Sequence, residues 1–425
     1  MSPAGGQQLP QEGLVEHATC LGCGCACDDV AVRVAEGRIS GTTNACELGV
    51  AWFGDGTVPS AIRVGNRDAA LADALTAIAT ALAASRRPLI YLAPELSCEA
   101  QREAIALADS IHGTVDTISS ATVLRSILAA QERGRATATL GEIRNRADLI
   151  VFWAVDPGVR YPRYWSRYAP EPVGLHIQQG RRGRSVIAVD IGDAKGPADA
   201  DVRVAVGARD EVALLTAATA IIRKPGTSFD EPLGSRADSL ARQLAAARYV
   251  AIVADAEPEL SPANDPRHRF RDPECAAALI ALAHALNGPT RCALSTLRAG
   301  GNRSGAESVL TAHTGYPTGV SFSTGFPVYR PTDAGHGADE VLVVGDASQV
   351  PADVLARFAP GSLAIIGPRA SQRPAAAAID TGVAGIHLNG TALRMDDVPL
   401  RLRASVPRGL DPTEVVRALR ERIQR

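Results

Sequence analysis

Short aliphatic runs alternate with alanine- and leucine-rich stretches over most of this 425-residue chain. Each aliphatic run is bounded by turn residues or charged residues, as buried parallel strands tend to be. Between these runs, apolar residues recur at the spacing of one helix face. The alternation predicts βα units around parallel sheets, and therefore an α/β protein. The predicted strands are Pro88–Leu92, Leu149–Val155, Ser185–Asp190, Tyr249–Ala254, Val341–Val344 and Leu363–Ile366.

The clearest helical periodicity covers Ala69–Ala84, Asp210–Ile222 and Pro412–Ile423. Two segments rich in Pro, Asp and Arg, Lys224–Arg236 and Asp255–Pro273, are predicted to be loops or insertions. The stretch Leu297–Pro331 mixes Gly, Ser and Thr with aromatic residues. It is too well mixed for a flexible linker, and we expect an ordered loop region that helps to form a site.

Charge and hydropathy exclude several function classes. The 44 Lys and Arg residues nearly balance the 46 Asp and Glu residues, giving a net charge of −2. Nucleic-acid binding depends on excess positive charge, so we do not expect it here. The best apolar stretch, Leu71–Ala84, is interrupted by Asp73 and falls short of the roughly 18 residues of a membrane helix. The first residues lack the pattern of a secretory signal, which predicts a cytoplasmic protein without a membrane span.

Five of the eight cysteines lie between Cys20 and Cys46. Four of them, Cys20, Cys23, Cys27 and Cys46, follow the pattern C-x2-C-x3-C-x18-C. Four thiolates at such spacing can hold a tetrahedral zinc ion or a 4Fe–4S cluster. The close triplet with a distant fourth cysteine favours the cluster, because structural zinc sites more often contain two CxxC pairs. Zinc and empty thiols remain as alternatives.

The other four cysteines are predicted to have packing roles. Cys25 lies between two candidate ligands and is expected to point away from the metal. Cys98, Cys275 and Cys292 are isolated in the sequence and are expected to be buried small apolar residues. A disulfide framework is not expected in a large cytosolic protein.

Several motifs resemble the B subunit of formylmethanofuran dehydrogenase, an archaeal tungsten or molybdenum enzyme of the formate dehydrogenase-like molybdopterin group. They are collinear with that family over the whole chain. They are CLGCGCACDD at residues 20–29, NACELG at 44–49, DPGVRYPRYWSRY at 156–168, the Gly/Ser/Thr-rich stretch 296–327 and GTALRMDDVPLRLR at 390–403.

The resemblance implies a formate dehydrogenase-like fold with domains I to III. A small cysteine-rich part is expected at residues 1–58. A discontinuous α/β domain is expected from residues 59–137 and 331–425, and a contiguous Rossmann-like domain from residues 138–330.

The position of the catalytic metal ligand departs from the family pattern. In redox-active relatives a cysteine or selenocysteine binds the metal within a segment resembling D-x-T-x-S-V-C-H-G-P. The corresponding segment, 116–134, places Thr122 at the cysteine and Val123 at the histidine. A threonine hydroxyl is too hard a donor to replace a thiolate, and valine has no proton to transfer. Tyr161 and Tyr164 likewise stand where the relatives have histidines.

Conserved architecture without the metal ligand is similar to the B subunit of the formyltransferase/hydrolase complex of methylotrophic bacteria. That complex transfers formyl from formyl-tetrahydromethanopterin to methylofuran and hydrolyses it to formate. The resemblance implies a non-redox scaffold that helps to hold methylofuran beside formyltransferase, hydrolase and small subunits, with no tungsten or molybdenum pterin. An active tungsten or molybdenum dehydrogenase subunit is the alternative.

A methylofuran-type carrier bears a polyglutamyl tail, which needs a cationic track. Guanidinium groups pair with carboxylates through two hydrogen bonds, so a row of arginines suits such a tail. A solvated surface with ordinary ion pairs, or a vestigial pterin pyrophosphate site, are the alternatives. The candidate carrier-binding residues are Arg160, Arg163, Arg167, Arg181, Arg182 and Arg184.

Four polar residues of the stretch 297–331 would border the former active site in the family fold. They are Arg298, Asn302, His313 and Tyr316. We expect His313 to be structural, because no nucleophile or metal motif lies near it. The histidines show neither HxH nor HExxH spacing, so a hydrolytic metal centre is not expected in this chain.

Overall fold

The structure is a computed structural model, and it describes residues 12–256, 273–332 and 334–424. The chain divides into two compact units. Unit 1 takes the chain up to Ala121 and again from Gly300 onward, and unit 2 is Thr122–Ala299. Apart from its ends, the predicted loop Asp255–Pro273 lies outside the described residues.

The first segment of unit 1 contains β1 (Glu12–Ala18), β2 (Val30–Ala35), β3 (Arg38–Thr43), α1 (Glu47–Phe53), β4 (Ile62–Val64), β5 (Arg67–Asp68), α2 (Leu71–Ala84), β6 (Pro88–Leu92), α3 (Cys98–Ser110) and β7 (Thr114–Thr117). A short helix, α4 (Ser119–Thr122), crosses the boundary between the units.

Unit 2 contains α5 (Leu124–Arg133), α6 (Leu140–Arg146), β8 (Leu149–Trp153), α7 (Pro157–Arg160), α8 (Tyr164–Arg167), β9 (Ser185–Ile191), β10 (Val202–Val206), α9 (Glu211–Arg223), α10 (Leu233–Ala246), β11 (Tyr249–Asp255), α11 (Pro273–Leu286) and β12 (Arg291–Leu297).

The second segment of unit 1 contains α12 (Arg303–Thr314), β13 (Val320–Ser321), β14 (Val328–Tyr329), β15 (Glu340–Val344), α13 (Ala352–Leu355), β16 (Leu363–Gly367), β17 (Ala377–Asp380), β18 (Gly390–Leu393), β19 (Pro399–Leu402) and α14 (Pro412–Ile423).

Unit 1 is built on a sheet to which both segments of the chain contribute. Within the described residues its strand order is β14-β13-β7-β6-β15-β16-β17-β4-β5. The central strands β7, β6, β15, β16 and β17 run parallel, with β6 from the first segment paired directly to β15 from the second. Because side chains alternate along a strand, Ile90 and Leu92 pack with α2, α3 and α14, while Leu89 and Tyr91 face a second core.

Unit 2 is built on a parallel sheet with strand order β10-β9-β8-β11-β12 in the described part of the chain. Val151 and Trp153 of β8 pack into an apolar core with residues of α9, α10 and α11. The next residue, Phe152, contacts Tyr164 and Trp165 instead. The two faces of β8 are therefore covered by different layers, as a buried parallel sheet requires.

The predicted α/β class and the six predicted strands are confirmed. Pro88–Leu92 and the helix Pro412–Ile423 match at both ends, and the other strands differ by one or two residues. The prediction of irregular structure is wrong in two places, because α10 begins at Leu233 and α12 occupies Arg303–Thr314. The α12 sequence is rich in weak helix formers, but Val309 and Leu310 pack into the core beside α3. This tertiary packing outweighs local propensity.

The unit boundaries differ from the predicted domain limits at 137/138 and 330/331. Helix α5 packs against α11, which groups it with unit 2. Helix α12 packs against α3, and β13 pairs with β7, which groups the stretch after Gly300 with unit 1. Residues up to 58, predicted to be a small domain, also group with unit 1.

The amino-terminal strands β1, β2 and β3 form a small antiparallel sheet. The cysteine loop between β1 and β2 places Leu21 and Ala26 in an apolar cluster with Leu400 and Leu402 of β19. The Thr19 hydroxyl donates to the carbonyl of Arg401 at 2.9 Å. The hairpin β18-β19 therefore anchors the cysteine loop to unit 1.

Across the described ranges, none of the helices has the length and apolarity that crossing a membrane would need.

Candidate functional site

Three of the four candidate ligands lie on one tight loop between β1 and β2. The loop is closed by a hydrogen bond from the Cys20 amide to the Cys27 carbonyl at 2.9 Å, and by one from the Ala26 amide to the Cys23 carbonyl at 3.1 Å. The fourth, Cys46, immediately precedes α1. Cys20, Cys23 and Cys27 are buried and Cys46 is half-buried.

The four thiols are electrostatic neighbours. The pKa of Cys20 is raised to about 12, mainly by burial and to a smaller extent by the nearby Cys23, Cys27 and Cys46. The Gly22 amide donates to the Cys20 sulfur at 3.3 Å and opposes that shift. A thiol in such surroundings stays protonated without a cation, whereas a metal centre would stabilise all four thiolates together.

Two glycines allow α1 to approach the Cys20 sulfur closely. A Cβ at Gly22 would lie 2.6 Å from the Leu48 carbonyl oxygen and 3.3 Å from the Cys20 sulfur. A Cβ at Gly49 would lie 3.4 Å from the same sulfur. Side chains at these positions would compete for space with the thiol, so the glycines keep the surroundings of Cys20 narrow.

The donor set of this loop suits a soft metal centre, because thiolates are the ligands of iron–sulfur clusters and of structural zinc. Among the described residues, however, no three Cys, His, Asp or Glu side chains are arranged to hold a single metal ion. The other three thiols are thus close enough to Cys20 to influence its pKa, but the described side chains are not arranged to coordinate a single metal ion. The metal-binding role of the four cysteines stays a prediction.

The segment in which the family resemblance predicts the catalytic metal ligand presents hard or apolar groups. Thr122 ends α4 and is 8% exposed, and Val123 precedes α5 and is 1% exposed. Before them, the Ser120 hydroxyl bonds to Asp116 and to the Thr318 hydroxyl. Burial raises the pKa of Asp116 to about 6, although these hydroxyls oppose the shift. The segment therefore contains oxygen donors and an aliphatic side chain, and it lacks the soft donor that tungsten or molybdenum needs.

The tyrosines at the two former histidine positions are core residues of unit 2. Tyr161 and Tyr164 are 1% and 0% exposed. The Tyr164 ring contacts Phe152 edge-on, with centroids 6.4 Å apart, and Tyr168 at 6.0 Å. Trp165 stacks on Phe152 at 5.6 Å. Large aromatic rings in this packing stabilise the layer over β8, a task that does not need histidine chemistry.

Three of the candidate arginines bond within unit 2. Arg184 is 5% exposed, and its guanidinium donates to four backbone carbonyls, including Pro170 at 2.8 Å and Pro172 at 2.7 Å. Arg181 pairs with Asp201 at 2.9 Å. Arg160 forms an ion pair with Asp255. These contacts give Arg184 a framework role and reduce the number of arginines that a carrier tail could recruit.

The other three candidate arginines, Arg163, Arg167 and Arg182, are partly or fully exposed to solvent. Arg167 places its guanidinium 5.4 Å from the centroid of the Tyr168 ring. Arg163 is half-buried at the start of α8, and Arg182 is exposed. Their role toward a carrier stays a prediction.

Asn302 has a structural task that the sequence did not reveal. It is fully buried and donates to the Leu96 carbonyl at 2.9 Å, while its own side-chain oxygen accepts from the Leu393 amide at 2.7 Å. It thereby ties the loop after β6 to β18. The adjacent Gly301 has φ +93°, and a Cβ there would lie 2.5 Å from the Pro94 carbonyl oxygen.

The remaining polar residues of this stretch have different surroundings. His313 is exposed, and its Nδ1 lies 2.9 Å from the Val309 carbonyl of its own helix. Tyr316 stacks on Tyr329 with centroids 4.9 Å apart. Arg298 is buried in unit 2. Cys25 and the three isolated cysteines are buried, as predicted.

Sequence reasoning missed a cavity of about 190 Å³ in unit 1. Its lining includes Glu95, which follows β6, and Asp346, which follows β15. Trp52 of α1 and His387 also line it. The available signal was Glu95, a carboxylate shortly after the buried strand β6. The cavity could not be inferred from it, because β15, which pairs with β6, comes from a distant part of the sequence.

Together these features define a multidomain α/β protein in which a cysteine-rich amino-terminal segment precedes a mixed sheet with parallel central strands and a second, parallel sheet. No protein-family model matches the chain. The chain is 30% identical to the B subunit of tungsten-containing formylmethanofuran dehydrogenase 2 from Methanocaldococcus jannaschii, over 97% of this chain and 99% of the relative. The equivalent protein from Methanococcus maripaludis is 28% identical over 96% of this chain and 98% of the relative. The chain belongs to the family of formylmethanofuran dehydrogenase B subunits.

A solved structure has the same fold. It is the formyltransferase/hydrolase complex from Methylorubrum extorquens in complex with methylofuran. One of its chains matches with a TM-score of 0.68 and 23% identity, over 86% of this chain and 99% of that chain.

Proposed function

We propose that this chain is a non-redox subunit of a cytoplasmic formyltransferase/hydrolase complex, acting as a scaffold and helping to hold a methylofuran carrier. The complex would convert formyl-tetrahydromethanopterin to formate, with the transferase and hydrolase chemistry performed by partner subunits. The family membership and the fold shared with a chain of such a complex support this proposal.

One observation carries the choice of a non-redox role. The resemblance aligns Thr122 and Val123 with the metal-binding cysteine and the histidine, and the segment 114–134 contains neither Cys nor His. A hydroxyl with an ordinary, very high pKa does not become an anionic ligand beside a soft metal, and valine supplies no donor atom. The residues present therefore do not fit a pterin-bound tungsten or molybdenum centre.

The four candidate cysteines, Cys20, Cys23, Cys27 and Cys46, are proposed to hold a 4Fe–4S cluster. Such a cluster supplies a one-electron redox centre when it is bound. In a chain without a second redox partner, its contribution would be structural. It would cross-link the loop after β1 to the start of α1, which lie far apart in sequence.

The carrier-binding part of the proposal rests on Arg163, Arg167 and Arg182. Guanidinium groups bind carboxylates in a polyglutamyl tail through paired, charge-assisted hydrogen bonds. Replacing all three with Gln should weaken binding of a glutamate oligomer and reduce its salt dependence, whereas the same change at exposed Arg209 should not. Equal binding by both proteins would remove this role.

The experiment that tests the function uses the chain in complex with its partner subunits. Transfer of formyl to methylofuran and release of formate should proceed without any electron acceptor. Formate or formylmethylofuran should not reduce a viologen dye. Dye reduction that depends on this chain would favour the alternative, an active tungsten or molybdenum dehydrogenase subunit.

A further inference from the structure

The cavity in unit 1 lies where the order of the parallel strands reverses. From β6 the chain continues through α3 to β7 on one side, whereas from β15 it continues to β16 on the other side. Glu95 and Asp346 follow the carboxyl ends of β6 and β15, which are neighbours in the sheet. Crevices at such positions are the usual ligand sites of open α/β sheets.

Glu95 is the most unusual residue of this cavity. It is 3% exposed, and its Oε1 accepts from the Asp346 amide. Its Oε2 is buried and has no hydrogen-bond partner among the described residues. A buried carboxylate oxygen without a partner is costly, so a ligand that donates to it would gain the full benefit of that contact.

Trp52 lines the same cavity. Its indole Nε1 is buried and has no hydrogen-bond partner in the described part of the chain. The nearby His387 is already satisfied. Its Nδ1 accepts from the Val383 amide at 3.0 Å, so its Nε2 carries the proton and donates to the Gly56 carbonyl at 3.0 Å. Two residues that line the cavity thus carry buried polar atoms without a partner in the described part of the chain, a carboxyl oxygen on Glu95 and an N–H donor on Trp52.

The charges around the cavity favour a cation beside Glu95. Asp346 lines the cavity as well, and its charge adds to burial in raising the pKa of Glu95 to about 8, so an ammonium group that binds there displaces the proton of this carboxyl group. Burial lowers the pKa of His387 and keeps that ring neutral. Arg369 also lines the cavity, but it is exposed to solvent and therefore screened.

The volume limits the size of the ligand. A cavity of roughly 150 Å³ holds benzene, while sites for drug-sized ligands span roughly 300–1,000 Å³. At about 190 Å³, this cavity accommodates a molecule of roughly six to eight heavy atoms.

We propose that this cavity binds a small protonated amine that also carries an oxygen acceptor. The ammonium group donates to Oε2 of Glu95, and Nε1–H of Trp52 donates to the ligand oxygen. Apolar side chains of the lining, Phe53, Val58, Val383 and Ile386, surround the short carbon chain between these two groups. The site does not depend on the proposed function of the chain.

The test uses the full chain and 3-methoxypropylamine as the probe, with 3-methoxypropan-1-ol as the uncharged control. Binding is followed by the ¹⁵N-labelled indole signals of the three tryptophans. We expect the Trp52 signal to shift saturably with a Kd of about a millimolar, as suits so small a ligand. The alcohol should bind at least about tenfold more weakly, because it lacks the charge-assisted hydrogen bond.

Variants then assign the contacts. Glu95→Gln should weaken amine binding about tenfold or more, while Trp52→Phe, followed by calorimetry, should weaken it severalfold. Glu340→Gln is the matched control. Glu340 lies at the amino end of β15, whereas the cavity lies beyond the carboxyl end of this strand, so the substitution should leave binding unchanged.

Three results would overturn the proposal: no saturable shift up to about 20 mM amine, equal affinity for amine and alcohol, or unchanged affinity in Glu95→Gln. If Glu95→Gln does not fold, as judged by its circular dichroism, the comparison of amine with alcohol on the unmodified chain still decides the question.

Discussion

The cysteine segment and the segment from Asp116 to Val123 present opposite sets of donor atoms. The first gathers three thiols on a tight loop and a fourth, Cys46, at the start of α1, and two glycines keep the space around the Cys20 sulfur narrow. The second presents hydroxyl and carboxylate oxygens followed by an aliphatic side chain. The chain therefore has candidate ligands for one soft metal centre and none at the position where the family resemblance predicts the ligand of the other.

The largest expected effect is at Cys23. If the cysteine segment holds a cluster, Cys23→Ser should abolish the visible absorbance of anaerobically purified protein and most of its iron, because oxygen is a poor ligand for the cluster. Absorption spectra and iron analysis measure both. Cys25→Ala is the matched control and should keep its colour, since Cys25 is buried outside the ligand pattern. Unmodified protein without iron would remove the cluster from the account.

The arginine stretch allows a similar contrast between framework and ligand roles. Arg184→Ala should destabilise the protein by about 3 kcal/mol or more, because four buried carbonyls would lose their donor. Arg182→Ala changes an exposed side chain and should stay within about 0.5 kcal/mol. Denaturant unfolding followed by tryptophan fluorescence compares the two. Similar losses in both variants would contradict the framework role of Arg184.

A smaller effect is expected where α1 meets the cysteine loop. Gly22→Ala should cost about 2–3 kcal/mol, because its Cβ would lie 2.6 Å from the Leu48 carbonyl oxygen. Gly41→Ala is the control, since a Cβ there meets nothing within 4 Å. Thermal unfolding of both variants, together with their iron content, shows whether the narrow space serves the loop. An unchanged stability in Gly22→Ala would show that α1 can shift at little cost in free energy.

The last effect depends on pH and concerns the second segment. The pKa of Asp116 lies at about 6 in the folded protein, above its ordinary value of 3.8, so the unfolded chain loses its proton first. Stability should therefore fall as the pH rises from about 4 to about 6, by up to about 3 kcal/mol, and stay level above that range. Asp116→Asn should remove this slope.

Asp55→Asn provides the control of opposite sign. Hydrogen bonds from Thr57 lower the pKa of Asp55, so its contribution is present at neutral pH and is lost as the pH falls through its titration. Denaturation midpoints measured across this pH range distinguish the two behaviours. Parallel slopes in the unmodified protein and in Asp116→Asn would contradict the burial of an ionisable Asp116.

The strands could be predicted well because each one is a short, fully buried aliphatic run. Such runs identify themselves locally, as Pro88–Leu92 does. Helix α12 could not be predicted in this way, since Val309 and Leu310 stabilise it only by packing into the core beside α3. The unit boundaries also depend on long-range pairing, such as β6 with β15, that no local pattern encodes.

The candidate sites show the same division. The spacing of the cysteines was visible in the sequence, and so was the absence of Cys and His from the segment 114–134. The framework role of Arg184 was not visible, because the sequence alone does not distinguish an arginine that bonds to backbone carbonyls from one that faces a ligand. Glu95 was missed for a related reason, since its cavity forms only when two distant parts of the chain come together.

The most direct test of a non-redox role is the metal content of the complex purified without oxygen. Inductively coupled plasma mass spectrometry should find tungsten and molybdenum far below one atom per copy of this chain, whether or not iron is present. Either metal at close to one atom per chain, together with a bound pterin, would contradict the account.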